Sequence, residues 1–439
     1  MTEQIKSPKH LYGTIRPPGD KSISHRAALL NSVSKGSAHV SNFCVGDDRT
    51  SMIGCLTGLG VKITEHRNCS VSKNEECFEI EGKNLDGLDE PTDVLYAGNS
   101  GTTMRLISGL LAGQSFFSVL PGDKSLRRRP MRRITEPLQQ MGAIIDGRGD
   151  KSLAPLSFRG NNLRGIEYDM PVASAQLKSC LLIAGLYSDG DIILNQPATS
   201  RDHTERMLSS MGADINTKGL SITLKSGTTA LNSTDVSVPS DTSGSAFWIV
   251  AACCHPDATI KLVGVGMNPT RTGILEVLEE MGANIQIENS HIQGGEPVAD
   301  LIVKTSELRG IEISGELIPR VVDELPIISL AACFAKGTTV IRDAQELRVK
   351  ESDRISATVE SLKEFGAKIT ETHDGMIIEG GHKLNGATVG SYGDHRIAMT
   401  NGIAGLLVSG TTNVENPEDA SVSYPNFWKT VSQLQNTDQ

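Results

Sequence analysis

Leu110-Leu111-Ala112-Gly113-Gln114-Ser115-Phe116-Phe117-Ser118-Val119-Leu120 reads as the end of an apolar helix, a turn and a short strand. The same succession returns along the chain. Leu29 to Gly36 leads into Ala38 to Phe43, Gly190 precedes Ile192 to Leu194, and Asp257 precedes Thr259 to Val263. Gly337 then precedes Thr338 to Ile341, and Gly410 precedes Thr411 to Val414. From Gly36 onward the six turn residues are spaced by 77, 77, 67, 80 and 73 positions. That is too far for a solenoid repeat and suits a unit of several strands and two helices, so six small α/β subdomains are expected.

A second marker runs in phase. Helices are expected to close at Leu59-Gly60-Val61, Met141-Gly142-Ala143, Met211-Gly212-Ala213, Met281-Gly282-Ala283 and Phe365-Gly366-Ala367, each glycine serving as a left-handed stop before a strand. The sixth marker is missing, because the last helix, near Phe427 to Leu434, runs to the C-terminus. The N-terminal segment Leu11 to Arg16 is expected to supply the strand that would follow it. The two chain ends then belong to one domain, residues 1–20 with 241–439, and residues 21–240 form an inserted N-proximal domain, each with three repeats. The hinge falls near Ser240-Asp241, beside Pro239 and opposite the crossing at Gly19-Asp20. A cleft between the halves is the expected ligand site.

Bulk properties narrow the function. A chain of 439 residues exceeds one ordinary core, and 38% hydrophobic and 21% charged residues with 44 glycines describe a turn-rich globular protein. A net charge of -10 and only 4% aromatic residues disfavour nucleic-acid binding. The eight cysteines form no CxxC pair or zinc-spaced cluster, so a reduced compartment is expected. Met1 to Gly13 has no apolar signal core, and no segment approaches a spanning run of about 18 apolar residues. A cytoplasmic protein without a membrane partner is expected.

The functional information stands just before the first helix of each unit. The stretches are Asp20 to Arg26, Gly98-Asn99-Ser100-Gly101-Thr102-Thr103-Met104-Arg105, Ser174-Ala175-Gln176-Leu177-Lys178, Asp241-Thr242-Ser243-Gly244-Ser245, Asp323-Glu324-Leu325-Pro326 and Gly393-Asp394-His395-Arg396. Taken singly, each is an ordinary set of capping residues. Capping does not require Lys21, Arg26, Arg105 and Arg396 there, however, because a cation is disfavoured by the dipole unless an anionic ligand compensates.

Three further clusters lie between the repeats. Arg127 and Arg128 read as a solvated charge run, whereas Arg129, fixed by Pro130, is a better ligand candidate. Arg348 to Arg354 reads as a salt-bridged helix face with Lys350 and Arg354 one turn apart on one side. Asp202-His203 reads as another N-cap before Thr204 to Met211. Gly19-Asp20-Lys21-Ser22 fails as a P-loop, Gly264-Val265-Gly266 lacks the third glycine of a dinucleotide fingerprint, and no Gly-x-Ser-x-Gly or HExxH occurs. Chemistry by acid, base and electrostatic groups, without metal or cofactor, is expected.

Together, Gly19 to Arg26, Gly98 to Thr102, Arg129-Pro130-Met131, Ser174-Ala175-Gln176, Arg348 to Arg354 and Gly393 to Arg396 closely resemble the 5-enolpyruvylshikimate-3-phosphate synthase family, in family order from about Leu11 to Trp428. The resemblance implies an α/β fold of two similar domains, each of three βαβαββ repeats, closing on the substrates. It also implies transfer of the enolpyruvyl group of phosphoenolpyruvate to the 5-hydroxyl of shikimate 3-phosphate. By motif position, Lys21, Ser22, Arg26, Ser174, Gln176, Arg201, Asp323 and Lys350 would hold shikimate 3-phosphate. Lys21, Gly101, Arg129, Gln176, Arg354 and Arg396 would hold phosphoenolpyruvate.

The physical reading agrees, since several charge-assisted bonds of about 1.5–3 kcal/mol each are needed to hold two anions together. Asp323 suits the base on the hydroxyl, and Glu351 and Lys21 are candidates for moving the proton at the methylene carbon. Ala175, Glu346 and Val422 depart from the commoner serine, asparagine and lysine, a pattern that looks like the family's second sequence class. A monomer is expected. The rivals are a UDP-N-acetylglucosamine enolpyruvyl transferase, which needs a reactive loop cysteine and a Lys-Asn pair where Lys21-Ser22 stands, and a non-catalytic anion-binding protein on the same scaffold.

Overall fold

The computed structural model describes residues 2–67, 69 and 76–435. Two compact units are present. A terminal unit comprises Met1–Pro18, Pro239–His291 and Pro297–Gln439, with residues 1 and 436–439 outside the description; an N-proximal unit comprises Gly19–Val238 and Ile292–Glu296. The short segment Ile292–Glu296 has no signature in the sequence that would assign it to the second unit.

Each repeat follows one local logic. Helices buried on nearly all sides are the inner elements: Lys21–Ser32, Gly101–Ala112 and Ala175–Gly185 in the N-proximal unit, and Thr242–Cys254, Leu325–Phe334 and His395–Leu407 in the terminal unit. Five of them are largely apolar all round, whereas Lys21–Ser32 also buries Ser24, His25, Arg26 and Asn31. Each leads into the strand read from the sequence. Ile192–Asn195, for instance, pairs parallel with Ile166–Asp169 and antiparallel with Ser221–Leu224. Thr338–Ile341 likewise pairs parallel with Glu312–Ile313 and antiparallel with Met376–Glu379.

Outer helices then close as the second marker requires. Gly60, Gly142, Gly212, Gly282 and Gly366 have φ of +80°, +103°, +95°, +99° and +92°. The next residue's amide returns to the carbonyl five positions back, from Val61 to Leu56 at 3.1 Å and from Ala283 to Leu278 at 2.8 Å. This is the Schellman closure, and it aims each chain into the following strand.

The chain start departs from the sequence reading. Thr2–Lys6, not Leu11 to Arg16, completes the sixth sheet, pairing antiparallel with Thr411–Glu415. Leu11–Ile15 instead pairs parallel with Ala258–Gly266 in the fourth sheet. The reason lies in the fourth repeat, whose inner helix Thr242–Cys254 follows Val236–Ser237, a strand already paired with Ser34–Ser41. The parallel place beside Ala258–Gly266 is therefore filled from the N-terminus, burying Leu11 and Ile15.

Inner helices approach closely where a side chain is absent. A Cβ at Gly109 would lie 2.2 Å from the carbonyl oxygen of Cys180, a backbone contact that cannot rotate away. Gly109→Ala is expected to cost about 1–3 kcal/mol by overpacking, read as a lower urea midpoint with unchanged slope. Cys69 and Cys77 are paired as a disulfide with Cα atoms 5.7 Å apart, so not every thiol is free as the reading of a reduced compartment implied. No described helix is long and apolar enough to cross a membrane.

Candidate active site

In the N-proximal unit, helix starts converge as a polar cluster. Asp20 caps the Lys21–Ser32 helix through the amide of Ile23 at 2.9 Å, which places Lys21 at its first position. Lys21 Nζ lies 2.8 Å from Asp48 Oδ2, in the first turn of the Asp47–Gly58 helix. Burial pushes the Asp48 carboxyl up, but Lys21 and then His25 outweigh it and hold it below its ordinary range. An anionic ligand at Lys21 must therefore compete with Asp48.

Ser22 is half-buried, and its carbonyl accepts from Arg26 Nη1 at 2.9 Å. Arg26 itself is 2% exposed and turns inward, donating to Thr204 Oγ1 and Ser179 Oγ at 2.7 Å each. Burial lowers its guanidinium to about 10, so it remains charged at neutral pH. Its contribution to an anion site comes from behind the helix starts.

The second helix start opens at Gly101, capped by Ser100 through the amide of Thr103 at 3.2 Å. Arg105, one turn on, donates to Gln176 Oε1 at 2.5 Å, and Gln176 Nε2 donates to Thr102 Oγ1 at 3.0 Å. Arg129 Nη2 reaches Asn99 Oδ1 at 3.0 Å, while Arg127 and Arg128 are exposed, as a solvated run should be. A Cβ at Gly101 would stand 3.0 Å from Arg105 Nη1 and 3.4 Å from Arg129 Nη1. The missing side chain leaves room for two guanidinium groups. The sequence counted Arg105 among the helix-start cations that an anionic ligand would compensate but assigned it to neither substrate; its spacing of four from Gly101 was the available signal.

Ser174 caps the Ala175–Gly185 helix, its hydroxyl accepting from Leu177 at 3.4 Å. Arg201 is half-buried in the turn before the His203–Ser210 helix. Asp202 occupies the cap position of that helix but makes no side-chain cap bond; it binds Arg206 Nε at 2.8 Å instead, so the capping expected of it is not made.

The terminal unit holds a different cluster. Arg354, 1% exposed at the first position of the Arg354–Glu364 helix, faces three carboxylates. Its Nε donates to Asp394 at 2.8 Å, Nη2 to Glu351 at 2.6 Å and Nη1 to Asp323 at 3.3 Å. Burial lowers its pKa, but the carboxylates, Asp394 first, carry it above the ordinary value. Arg396 lies 3.8 Å from both Asp323 and Glu324, and its amide donates to the capping Asp394 at 2.8 Å. Burial and then Arg396 push His395 down to about 3, leaving it neutral in ordinary buffers.

Lys350 is not one helical turn from Arg354. The 3₁₀ helix Gln345–Val349 ends before it, and Asp353 caps a new helix by accepting from Ser356 at 3.2 Å. Lys350 instead binds Glu346 at 2.9 Å. Asp353, a strong capping residue, overrides the charge pattern that reads as one continuous helix. Arg348 is the ordinary structural residue of this stretch, holding Asp353, Glu371 and the carbonyls of Thr372 and His373.

On this frame the sequence matches the model of the EPSP synthase (3-phosphoshikimate 1-carboxyvinyltransferase) family over residues 5–431. A 3-phosphoshikimate 1-carboxyvinyltransferase of Roseiflexus castenholzii is 50% identical, the match covering 99% of this chain and 100% of that protein. One of Desulforamulus reducens is 49% identical, covering 96% and 97%. The solved EPSP synthase of Acinetobacter baumannii superposes with a TM-score of 0.89 at 42% identity, covering 99% of this chain and 98% of that one. With six repeats, capped cationic helix starts and an arginine–carboxylate cluster on a frame shared over nearly its whole length, the chain belongs to the EPSP synthase family.

Proposed function

We infer that this chain transfers the enolpyruvyl group of phosphoenolpyruvate to the 5-hydroxyl of shikimate 3-phosphate, releasing phosphate, in the shikimate route to chorismate and the aromatic amino acids. The observation that carries this reading is the grouping of Asp323 and Glu351 with Arg354 and Arg396. Anion binding alone gains nothing from carboxylates among cations, whereas this reaction needs both.

Lys21, Ser22, Ser174, Gln176 and Arg201 hold shikimate 3-phosphate, with Arg26 adding charge from behind, and Asp323 and Lys350 serve the same substrate. Lys21, Gly101, Arg129, Gln176, Arg354 and Arg396 serve phosphoenolpyruvate. Asp323 accepts the hydroxyl proton as oxygen bonds to C2 of phosphoenolpyruvate, and Glu351 or Lys21 protonates C3. Removal of that proton and departure of phosphate collapse the tetrahedral intermediate. Incubation with both substrates, with and without a chelator, is expected to release phosphate; release only with UDP-N-acetylglucosamine in place of shikimate 3-phosphate would overturn the reading.

The cysteines support this choice over the UDP-sugar reaction. Cys44, Cys55 and Cys180 of the N-proximal unit are all buried, and burial pushes the Cys44 and Cys55 thiols up to about 12. A buried neutral thiol is a poor nucleophile.

Gly101→Ala puts a methyl group against the tips of Arg105 and Arg129. Contacts of 3.0–3.4 Å can be relieved by small side-chain shifts, so folding is expected to survive while the room beside phosphoenolpyruvate shrinks. A higher KM for phosphoenolpyruvate and weaker inhibition by glyphosate should be read in the same phosphate-release assay. Unchanged inhibition with normal kinetics would refute the placement of phosphoenolpyruvate beside Gly101.

A further inference from the structure

We propose that the buried Lys178–Glu205 ion pair is a positioning element for shikimate 3-phosphate, fixing the turn that carries Arg201 against the helix start that carries Ser174 and Gln176. The proposal rests on the reading that the N-proximal unit holds this substrate. Lys178 is wholly buried one turn into the Ala175–Gly185 helix, its amide donating to the carbonyl of Ser174 at 3.0 Å. Its Nζ lies 2.6 Å from Glu205 Oε1 in the His203–Ser210 helix and donates at 3.3 Å to the carbonyl of Ser200, the residue before Arg201. One ammonium group thus ties the first turn of one helix to both the helix and the turn on its other side.

The turn is also closed on itself. Gln196 Oε1 accepts from the Ser200 amide at 3.2 Å and from its hydroxyl at 2.8 Å. Arg26 makes a parallel bridge, joining Ser179 in one helix to Thr204 in the other. Two buried cations therefore tie three helices to one another beside a core filled largely by leucine and isoleucine side chains.

Stability alone explains the pair poorly. A buried ion pair is often no more stable than apolar residues of the same volume, and Glu205 Oε2 is buried with no hydrogen-bond partner among the described residues. What apolar residues cannot supply is direction, namely a donor aimed at the Ser200 carbonyl. A loosened Arg201 turn should weaken the contacts made through Arg201 and Ser174, whereas Gln176, which also serves phosphoenolpyruvate, is still held by Arg105 and Thr102; small misplacements of binding groups have large effects.

The test is the double variant Lys178→Met/Glu205→Leu, which leaves no charge unpaired. Its thermal midpoint is expected within about 3 °C of the parent. The KM for shikimate 3-phosphate should rise about tenfold or more while that for phosphoenolpyruvate stays within about twofold. Calorimetric titration with shikimate 3-phosphate should show the same loss. A folded variant with both KM values unchanged overturns the positioning role. A rise confined to phosphoenolpyruvate overturns the assignment of shikimate 3-phosphate to this unit and the proposal with it. Should the double variant fail to fold, Glu205→Gln, which keeps the volume, carries the same comparison.

Discussion

Asp323→Asn is expected to lower kcat by about 10²–10⁴-fold, the usual contribution of a general base, with KM values for both substrates within a few-fold of the parent. The carboxamide keeps the size of Asp323 and one oxygen that accepts hydrogen bonds, so the contact from Arg354 Nη1, 3.3 Å in the parent, is retained. What disappears is the capacity to take a proton from the 5-hydroxyl. Arg354 still has Asp394 and Glu351 at 2.8 and 2.6 Å, so the cluster should hold together and the melting temperature change little. Single-turnover phosphate release separates chemistry from binding. A variant that keeps kcat within about threefold removes Asp323 as the base. In that case a loss of about 10²–10⁴-fold in Glu351→Gln would point to Glu351 as the carboxylate that carries both proton transfers.

The regularity of the fold was legible because its signals are local. A glycine with positive φ and a returning amide is a property of a few consecutive residues, so the five helix stops stand where a glycine between a large apolar residue and Val or Ala placed them. The N-terminal strands were not legible in the same way. Thr2–Lys6 and Leu11–Ile15 are both short extended segments, and only pairing with residues hundreds of positions away decides which sheet each joins.

The candidate site divides similarly. Capped cations at helix starts announce themselves by spacing, but the inward turn of Arg26 and the burial of Lys178 depend on Thr204 and Glu205 from another helix. Lys350 was misplaced although the signal was present. Asp353, an N-cap residue standing directly before Arg354, marks a helix start inside what the charge pattern presents as one face.

Arg354→Met should have the largest effect on stability, because it removes a buried cation and leaves its carboxylates behind. Breaking a buried pair from one side typically costs about 3–5 kcal/mol at neutral pH, and here Asp394 is wholly buried while Asp323 and Glu351 lie against the same guanidinium. The pH dependence gives the cause. In the parent, burial pushes Asp394 up, but Arg354 and then His395 outweigh it and hold the carboxyl below its ordinary value. Its contribution is therefore present above the unfolded value of about 3.9 and is lost as the pH falls through the folded value. Without Arg354 the burial remains and the compensation goes, so the folded pKa moves above the unfolded one. A group of that kind favours folding below its unfolded pKa and loses that contribution as the pH rises through the folded value. His395 is pushed down to about 3 by burial, then Arg396 and also Arg354, so removing Arg354 moves its folded pKa back toward the unfolded value, which favours the variant at low pH and acts in the same direction. The destabilisation should therefore be larger at pH 8 than at pH 5 in urea unfolding. An equal or larger loss at pH 5 would mean that packing, not charge compensation, is what Arg354 supplies. Adding Asp394→Asn to the variant should then recover part of the loss at pH 8 and little at pH 5, since the two residues are in contact and their effects cannot be independent.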